Sequence, residues 1–232
     1  MMTPKTIHIV DYGLGNLFSI KNACLKVGLT PTISSRAEDL KQADIVILPG
    51  VGAFGDAMAS LESMGLVEPI KSVARSGKPL VGICLGMQLL MTESNEFGSH
   101  KGLDIIPGIT SRLKTTCDFH GNRVKVPHIG WNRIVKPDNP YNKQRLENTS
   151  ETIWDNTPMD STKEGEYMYF VHSYYVTPDD SSIILSNTTY GENMFCSSLR
   201  MNNIFAVQFH PERSGPSGLE IYAHLNGFSE AL

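Results

Sequence analysis

Short apolar runs alternate with amphipathic stretches over the first half of the chain. Ile7–Val10, Asp44–Leu48 and Pro79–Ile83 have the length and composition of strands, and Leu17–Val27 repeats apolar residues on one helical face before Gly28. A helix between two strands allows those strands to run parallel in one sheet. The pattern therefore predicts an α/β fold with an open, mostly parallel central sheet flanked by helices.

The second half of the chain has a different pattern, with shorter alternating segments. We expect Asn132–Val135, Tyr167–Val171, Ile183–Asn187 and Ile204–Phe209 to be strands that extend the sheet in antiparallel fashion. The polar stretch 136–166 predicts a surface insertion. A length of 232 residues suits a single domain spanning 1–232.

Composition disfavours several classes of function. Hydrophobic residues make up 41% and charged residues 19%, and no apolar run approaches the roughly 18 residues of a membrane span. A net charge of −4 provides no basic field for nucleic acid. The four cysteines form no CxxC pair, and no secretory signal precedes the first strand. We expect a cytoplasmic protein without disulfides, zinc or a membrane role.

Gly82–Gly86, with the sequence Gly-Ile-Cys-Leu-Gly, lies where a predicted strand meets a predicted helix. It has the form of a nucleophile elbow, a sharp strand-to-helix turn, with Cys84 in the position of the nucleophile. The unpaired amides and the dipole at a helix N-terminus favour a thiolate, which is the reacting form of cysteine. The alternative is a small buried cysteine in a tight turn.

A thiolate nucleophile requires a general base, and Gln208–Glu212 offers one. His210 ends an apolar strand, and the Glu212 carboxylate follows closely enough to hold the second imidazole nitrogen. The alternative is an exposed histidine at a strand end beside an unrelated carboxylate. Its pairing with the elbow favours the catalytic interpretation.

A tetrahedral intermediate also requires backbone donors for its oxyanion. The amide of Leu85 directly follows the nucleophile and is suitably placed in such a turn. A second donor can come from the glycine-bracketed segment Pro49–Gly52, because strand C-termini face the ligand crevice in open α/β sheets. In isolation this segment is equally an ordinary turn.

The motifs together resemble a known family. Gly82–Gln88 and Gln208–Glu212 resemble the defining motifs of the class I, or triad, glutamine amidotransferases, which have a flavodoxin-like fold. The similarity runs in order over almost the whole chain except 136–166. More narrowly, four segments are similar to the glutaminase subunits of imidazole glycerol phosphate synthases: Asp11–Asn16, Pro49–Gly52, His128–Asn132 and Tyr169–Tyr174.

This resemblance implies a role for each catalytic position. Cys84 would attack the glutamine amide and form a γ-glutamyl thioester, His210 would shuttle protons, and Glu212 would orient His210. No cofactor is implied. The oxyanion hole would be formed by the amides of Val51 and Leu85, with Gly50 and Gly52 as hinges.

The resemblance also implies how L-glutamine is recognised. The matching positions are Gln88, Glu96, Ser173 and Tyr174, and a carboxylate at Glu96 suits the substrate ammonium. For Tyr174, a half-buried strand aromatic is an equally open interpretation.

His128–Asn132 resembles the segment at which these glutaminases meet a synthase subunit of (β/α)8-barrel type in a heterodimer. His128, Trp131 and Asn132 are the predicted contacts, with Trp131 as an apolar anchor carrying one donor. A tryptophan packed in the core is the alternative. His128 and His172 lack a companion at ligand spacing, so no metal site is predicted.

Three functions stay open from the sequence. The first is a glutaminase that supplies ammonia for imidazole glycerol phosphate formation in histidine biosynthesis. The second keeps this chemistry but supplies ammonia for amidation of a nucleotide-linked sugar in surface-polysaccharide synthesis, a rival left open by 136–166 and Phe195–Ser198. The third is a non-catalytic binding or regulatory protein, which the intact Cys84, His210 and Glu212 disfavour.

Overall fold

Thirteen strands and six α-helices make up the computed structural model over the residues it describes, which are 5–118, 120–138 and 152–228. No helix within these ranges is long and apolar enough to cross a membrane. In chain order the elements are β1 (Ile7–Val10), α1 (Leu17–Lys26), β2 (Pro31–Ser34), α2 (Ala37–Gln42), β3 (Ile45–Leu48), α3 (Phe54–Ser63), α4 (Val67–Arg75), β4 (Leu80–Ile83), α5 (Leu85–Leu89), β5 (Met91–Ser94), β6 (His100–Lys101), β7 (Ile106–Arg112), β8 (His128–Arg133), β9 (Tyr167–His172), β10 (Tyr174–Pro178), β11 (Ile184–Tyr190), β12 (Asn193–Met201), β13 (Ile204–Val207) and α6 (Gly215–His224).

The central sheet has seven strands in the order β11-β12-β13-β4-β3-β1-β2. The strands from β13 to β2 are parallel, and β12 and β11 extend the sheet in antiparallel fashion. This confirms the predicted fold class. One detail differs, because β13 lies inside the sheet and runs parallel to β4 instead of forming an antiparallel extension.

Helices cover both faces of this sheet, so its central strands are buried throughout. Side chains alternate between the faces: Ile45 and Ile47 join the core layer beside α1 and α6, and Val46 and Leu48 join the layer beside α3 and α4. Because both faces of β3 are buried, all of its residues are apolar. The fully packed sheet provides a rigid base for the loops at the carboxyl ends of its strands.

Two smaller sheets stand beside the central one. β10-β7-β5-β6 forms a four-stranded sheet, and β8 pairs with β9 in a two-stranded ribbon. The expected strand Asn132–Val135 lies largely outside this ribbon, because β8 begins at His128 and ends at Arg133. The helix expected after Cys84 is also shorter than its apolar pattern indicated: it ends at Leu89, and Met91 begins β5.

The predicted surface insertion is only partly within the described residues, since 139–151 lies outside them. In the part that follows, Trp154 and Met159 are buried in the core. The Trp154 Nε1 donates a hydrogen bond to the Leu185 carbonyl at 2.6 Å. This portion of 136–166 therefore packs against the sheet instead of forming a purely exposed loop.

Candidate active site

Cys84 occupies a strained turn between β4 and α5. Its backbone has φ 54° and ψ −110°, outside the regions that ordinary residues prefer. The Cys84 amide donates to the Val207 carbonyl at 2.8 Å, which holds the turn against the neighbouring strand. The short α5 begins at Leu85, so the first amides of that helix have no acceptor within it.

His210 reaches Cys84 because their strands are neighbours. β4 and β13 pair in parallel with Ile83 beside Val207, so the segments that follow both strands leave the same edge of the sheet. His210 Nδ1 lies 2.8 Å from Glu212 Oε1, and the two side chains are 4% and 0% exposed. His210 Nε2 is buried without a hydrogen-bond partner among the described residues. The structure thus brings together the three residues predicted to form a triad.

The charges of this cluster support one another. Burial by itself lowers the pKa of His210, but the neighbouring Cys84 thiolate and the Glu212 carboxylate outweigh it and raise that pKa to about 10. His210 is therefore favoured in its imidazolium form, which holds a proton at neutral pH. A cysteine beside a protonated histidine is an arrangement that can supply both a nucleophile and a proton donor.

The loop between β3 and α3 packs directly against the start of α5. A Cβ atom at Gly50 would lie 2.8 Å from the Leu85 Cβ and would also meet the Tyr12 hydroxyl, so this close approach requires glycine. Tyr12 is buried and donates to the Pro49 carbonyl at 2.7 Å. Gly52 has φ 109°, and Val51 between the glycines is 40% exposed. The predicted oxyanion segment therefore lies beside the amide of Leu85.

A cavity of about 310 Å³ opens over Cys84. All four predicted glutamine-binding residues line it. A hydrogen bond also joins two of these residues: Gln88 Nε2 donates to the Tyr174 carbonyl at 2.8 Å. The lining residues are Val51, Gly52, Cys84, Leu85, Gln88, Glu96, Pro127, Val171, His172, Ser173 and Tyr174.

Glu96 presents a buried carboxylate to this cavity. Its Oε2 accepts a hydrogen bond from the Phe54 amide at 2.6 Å, at the first residue of α3. A carboxylate is stabilised at such a helix N-terminus by the unpaired amides and the dipole. Glu96 is 8% exposed, so its charge is largely removed from water and is held toward the cavity wall.

The β8–β9 ribbon separates the three predicted partner contacts. Trp131 lies on the outer face and is 54% exposed, so the alternative of a core tryptophan is wrong. His128 lies on the opposite face, is 2% exposed, and stacks between Phe170 and Tyr190 at ring distances of 5.0 and 4.1 Å. Strand alternation therefore removes His128 from the surface, which corrects its assignment as a partner contact.

Asn132 shares the inner face with His128. Its Nδ2 donates to the Thr189 carbonyl at 2.9 Å and lies 3.4 Å from His128 Nε2. His128 Nδ1 lies 3.1 Å from His172 Nε2, and His172 Nδ1 lies 2.9 Å from the Tyr174 carbonyl. If each group donates to the next toward Tyr174, both imidazoles are neutral and every contact is satisfied.

The buried histidines predict acid-sensitive stability. Burial lowers the pKa of His128 from 6.5 to about 4, and burial together with His128 lowers that of His172 to about 3. Between pH 6.5 and 4 the unfolded chain binds more protons than the folded chain, so this contribution is full above pH 6.5 and is lost as the pH falls. We expect each of the two histidines to decrease the unfolding free energy by about 2 kcal/mol between pH 7 and pH 5.

Urea unfolding of the protein and of His128→Phe at both pH values measures this effect. Phenylalanine keeps the stacking against Phe170 and Tyr190 and removes one titrating group, so its pH dependence should be shallower. Equal pH dependence in the two proteins would contradict the role assigned to the buried imidazoles.

Sequence reasoning missed two residues at this site. Tyr12 supports the Pro49 carbonyl, and burial followed by the Cys84 charge raises the pKa of its hydroxyl well above the usual value. Gln208 Nε2 lies 3.6 Å from Cys84 Sγ. In the sequence, Tyr12 and Gln208 were indicated only as members of the motifs Asp11–Asn16 and Gln208–Glu212. Their contacts could not be predicted because both depend on how neighbouring strands are arranged.

Comparison with known proteins gives the family. The family model described as glutamine amidotransferase class-I matches residues 8–225. The imidazole glycerol phosphate synthase subunit HisH of Geobacter sulfurreducens is 42% identical over 224 residues, which are 97% of this chain and 98% of that protein. The HisH subunit of Aquifex aeolicus is 41% identical over 225 residues, 97% of each chain. The chain therefore belongs to the class I glutamine amidotransferase family and groups there with the HisH subunits.

Solved structures agree on the fold. A crystal structure of a glutamine amidotransferase superposes with a TM-score of 0.66 at 14% identity and covers 95% of this chain and 98% of its own. The structure of PurLQS from Thermotoga maritima gives a TM-score of 0.62 at 18% identity, covering 95% and 96%. At these identities the likeness concerns architecture alone.

Proposed function

We propose that this chain is the glutaminase subunit of an imidazole glycerol phosphate synthase. It hydrolyses L-glutamine at Cys84 and passes the ammonia to a (β/α)8-barrel subunit, which forms imidazole glycerol phosphate in histidine biosynthesis. The observation that carries this proposal is the strained Cys84 beside His210 and Glu212, at a cavity of about 310 Å³. The near full-length similarity to HisH subunits supports the choice of pathway.

In the proposed reaction, the Cys84 thiolate attacks the side-chain amide carbon of glutamine. The protonated His210 gives its Nε2 proton to the departing nitrogen, and ammonia leaves a γ-glutamyl thioester. His210 then takes a proton from water, which attacks the thioester and releases glutamate and the thiolate. Glu212 holds the Nδ1 side of the ring through both steps.

Backbone amides would stabilise the negative oxygen formed in each step. The Leu85 amide begins α5 and has no acceptor within that helix. The Val51 amide would supply the second donor after the peptide between Gly50 and Gly52 turns toward the cavity. Exposure of Val51 and the positive φ of Gly52 are compatible with such a rotation.

Glutamine recognition would use the cavity wall. Gln88 Nε2 donates to both Tyr174 and Gln208, so the side chain of Gln88 has only its carbonyl oxygen to offer a substrate N–H group. The buried Glu96 carboxylate suits the α-ammonium group of glutamine. Ser173, which joins β9 to β10, and Tyr174, the first residue of β10, would contact the remaining backbone atoms of the substrate.

The outer face of the β8–β9 ribbon is the proposed surface for the barrel subunit. It carries Ile129 and Trp131, which are 60% and 54% exposed, and Tyr167, which is 46% exposed. Large exposed apolar side chains that lie close together mark interaction surfaces. Val171 continues this face to the active-site cavity, where its carbonyl lies 3.9 Å from Cys84 Sγ. A barrel subunit bound to this face would cover the active-site cavity, where ammonia is released. The cytoplasmic location of the heterodimer stays a prediction.

A glutaminase assay with candidate barrel proteins tests the pathway. The chain is assayed alone and with each candidate, with and without that candidate's nucleotide ligand. We expect ammonia release to rise with the barrel subunit of histidine biosynthesis. Activation only by a barrel protein that amidates a nucleotide-linked sugar would contradict the proposed pathway, and absence of hydrolysis with every partner would contradict the chemistry.

Substitution of Trp131 tests the interface. We expect Trp131→Ala to weaken binding of the barrel subunit about 30-fold, because an exposed aromatic anchor contributes about 2 kcal/mol when it is buried in a complex. Met194→Ala is a control, since Met194 is 69% exposed on β12 and lies outside the ribbon. Equal affinity of the Trp131→Ala variant and the unsubstituted chain, measured by titration calorimetry, would move the interface elsewhere.

A further inference from the structure

Gln208 connects Gln88, in the wall of the glutamine pocket, to the proposed nucleophile Cys84. It follows β13, and its side chain is fully buried at 0% exposure. Its Oε1 accepts a hydrogen bond from Gln88 Nε2 at 3.0 Å, and its Nε2 donates to Cys84 Sγ at 3.6 Å. A buried primary amide is costly unless both its ends are paired, so these contacts account for its place in the core.

The orientation of this amide is fixed by its neighbours. The Tyr174 carbonyl can only accept, so the Gln88 atom 2.8 Å from it is the amide nitrogen. The same nitrogen donates to Gln208, which therefore directs its oxygen toward Gln88. The Gln208 nitrogen is consequently the end that faces Cys84 Sγ, and a flipped amide would place donors against donors.

We propose that Gln208 is a positioning residue that stabilises the Cys84 thiolate by donating an N–H to its sulfur. This inference rests on the proposed role of Cys84 as the nucleophile. A hydrogen bond to an anion is stronger than one to a neutral thiol, so this contact favours the reacting form. Unlike His210, Gln208 carries no transferable proton, so its donor remains in place while His210 changes protonation state.

The same contact assists both halves of the reaction. The thiolate is the nucleophile when the thioester forms and the leaving group when water cleaves it. A fixed donor at the sulfur lowers the energy of the charged form at each point without having to reorganise. Gln88, in the wall of the substrate cavity, holds the Gln208 amide through a hydrogen bond. The position of the Cys84 sulfur is therefore linked to a residue that is proposed to bind glutamine.

Alkylation of Cys84 by iodoacetamide tests this inference without requiring glutamine hydrolysis. Its rate is measured against pH for the full chain and for two variants of similar volume. Gln208→Glu keeps the acceptor for Gln88 but places a negative oxygen at the sulfur. At pH 7 we expect alkylation to slow about 10- to 100-fold in Gln208→Glu and about 3- to 10-fold in Gln208→Met, with half-maximal rate reached at higher pH in both.

Asn203→Asp is the matched control for the amide-to-acid change. Asn203 is 3% exposed, and its Nδ2 donates to the Ala74 and Lys78 carbonyls at the opposite end of β13. It should alkylate with the unchanged pH profile. Unchanged profiles in both Gln208 variants would overturn the inference, as would an equal shift in the control. If Cys84→Ala still hydrolysed glutamine, Cys84 would not be the nucleophile. The alkylation rates would still show whether Gln208 stabilises the thiolate.

Discussion

Glutamine hydrolysis by the complex with the barrel subunit is expected to fall at least about 10⁴-fold in Cys84→Ala. The substitution removes the proposed nucleophile, and no other cysteine among the described residues lines the cavity. Binding of glutamine should change little, because the cavity wall of Gln88, Glu96 and Tyr174 is retained. Ammonia release under saturating glutamine measures the loss.

Cys117→Ala is the control for this substitution. Cys117 is exposed, lies outside the cavity lining, and has no assigned role, so its variant should hydrolyse glutamine at the unsubstituted rate. Activity of Cys84→Ala within tenfold of that rate would mean that another residue is the nucleophile. Loss in both variants would point to a general sensitivity of the fold instead.

The largest expected effect on stability belongs to Gly86→Ala. A Cβ atom at Gly86 would overlap the Leu48 carbonyl oxygen, which is backbone at the end of β3 and cannot rotate away. Because α5 must approach the β3 end this closely, the substitution separates Cys84 and Leu85 from the Pro49–Gly52 loop. We expect the unfolding free energy to decrease by about 3 kcal/mol or more, with hydrolysis impaired in whatever protein remains folded.

Gly227→Ala provides the comparison. An added Cβ at Gly227 would meet only the His224 carbonyl at 3.7 Å, an ordinary contact, so the unfolding free energy should stay within about 0.5 kcal/mol of the unsubstituted value. Chemical denaturation of both variants measures the difference. Equal stability of the two would show that the α5–β3 contact relaxes easily and does not fix the site.

The parallel half of the fold was predictable because its strands carry their own signal. β1, β3 and β4 are short apolar runs, and each is bounded by residues that end a strand. The helix after Cys84 was less predictable, since Leu89–Met91 is a short apolar run that suits either a helix or a strand. Tertiary pairing of β5 with β7 decides it in favour of a strand from Met91.

The elbow and the histidine motif could be located from sequence because each has a local form. The partner contacts could not be sorted, because alternation within β8 shows that His128 and Trp131 face opposite sides but not which side is buried. Gln208 belongs to the motif Gln208–Glu212, but nothing in that motif indicated a contact between its side chain and Cys84. Its contact with Cys84 follows from β4 and β13 lying side by side, which the sequence does not specify.

Peptide mass spectrometry after treatment of the heterodimer with a glutamine analogue that alkylates thiols tests the central claim most directly. The account predicts one covalent adduct on the peptide that contains Cys84, blocked by excess L-glutamine and formed slowly when His210 is replaced by asparagine. An adduct on Cys24, Cys117 or Cys196 instead, or none on Cys84 in the active complex, would contradict it.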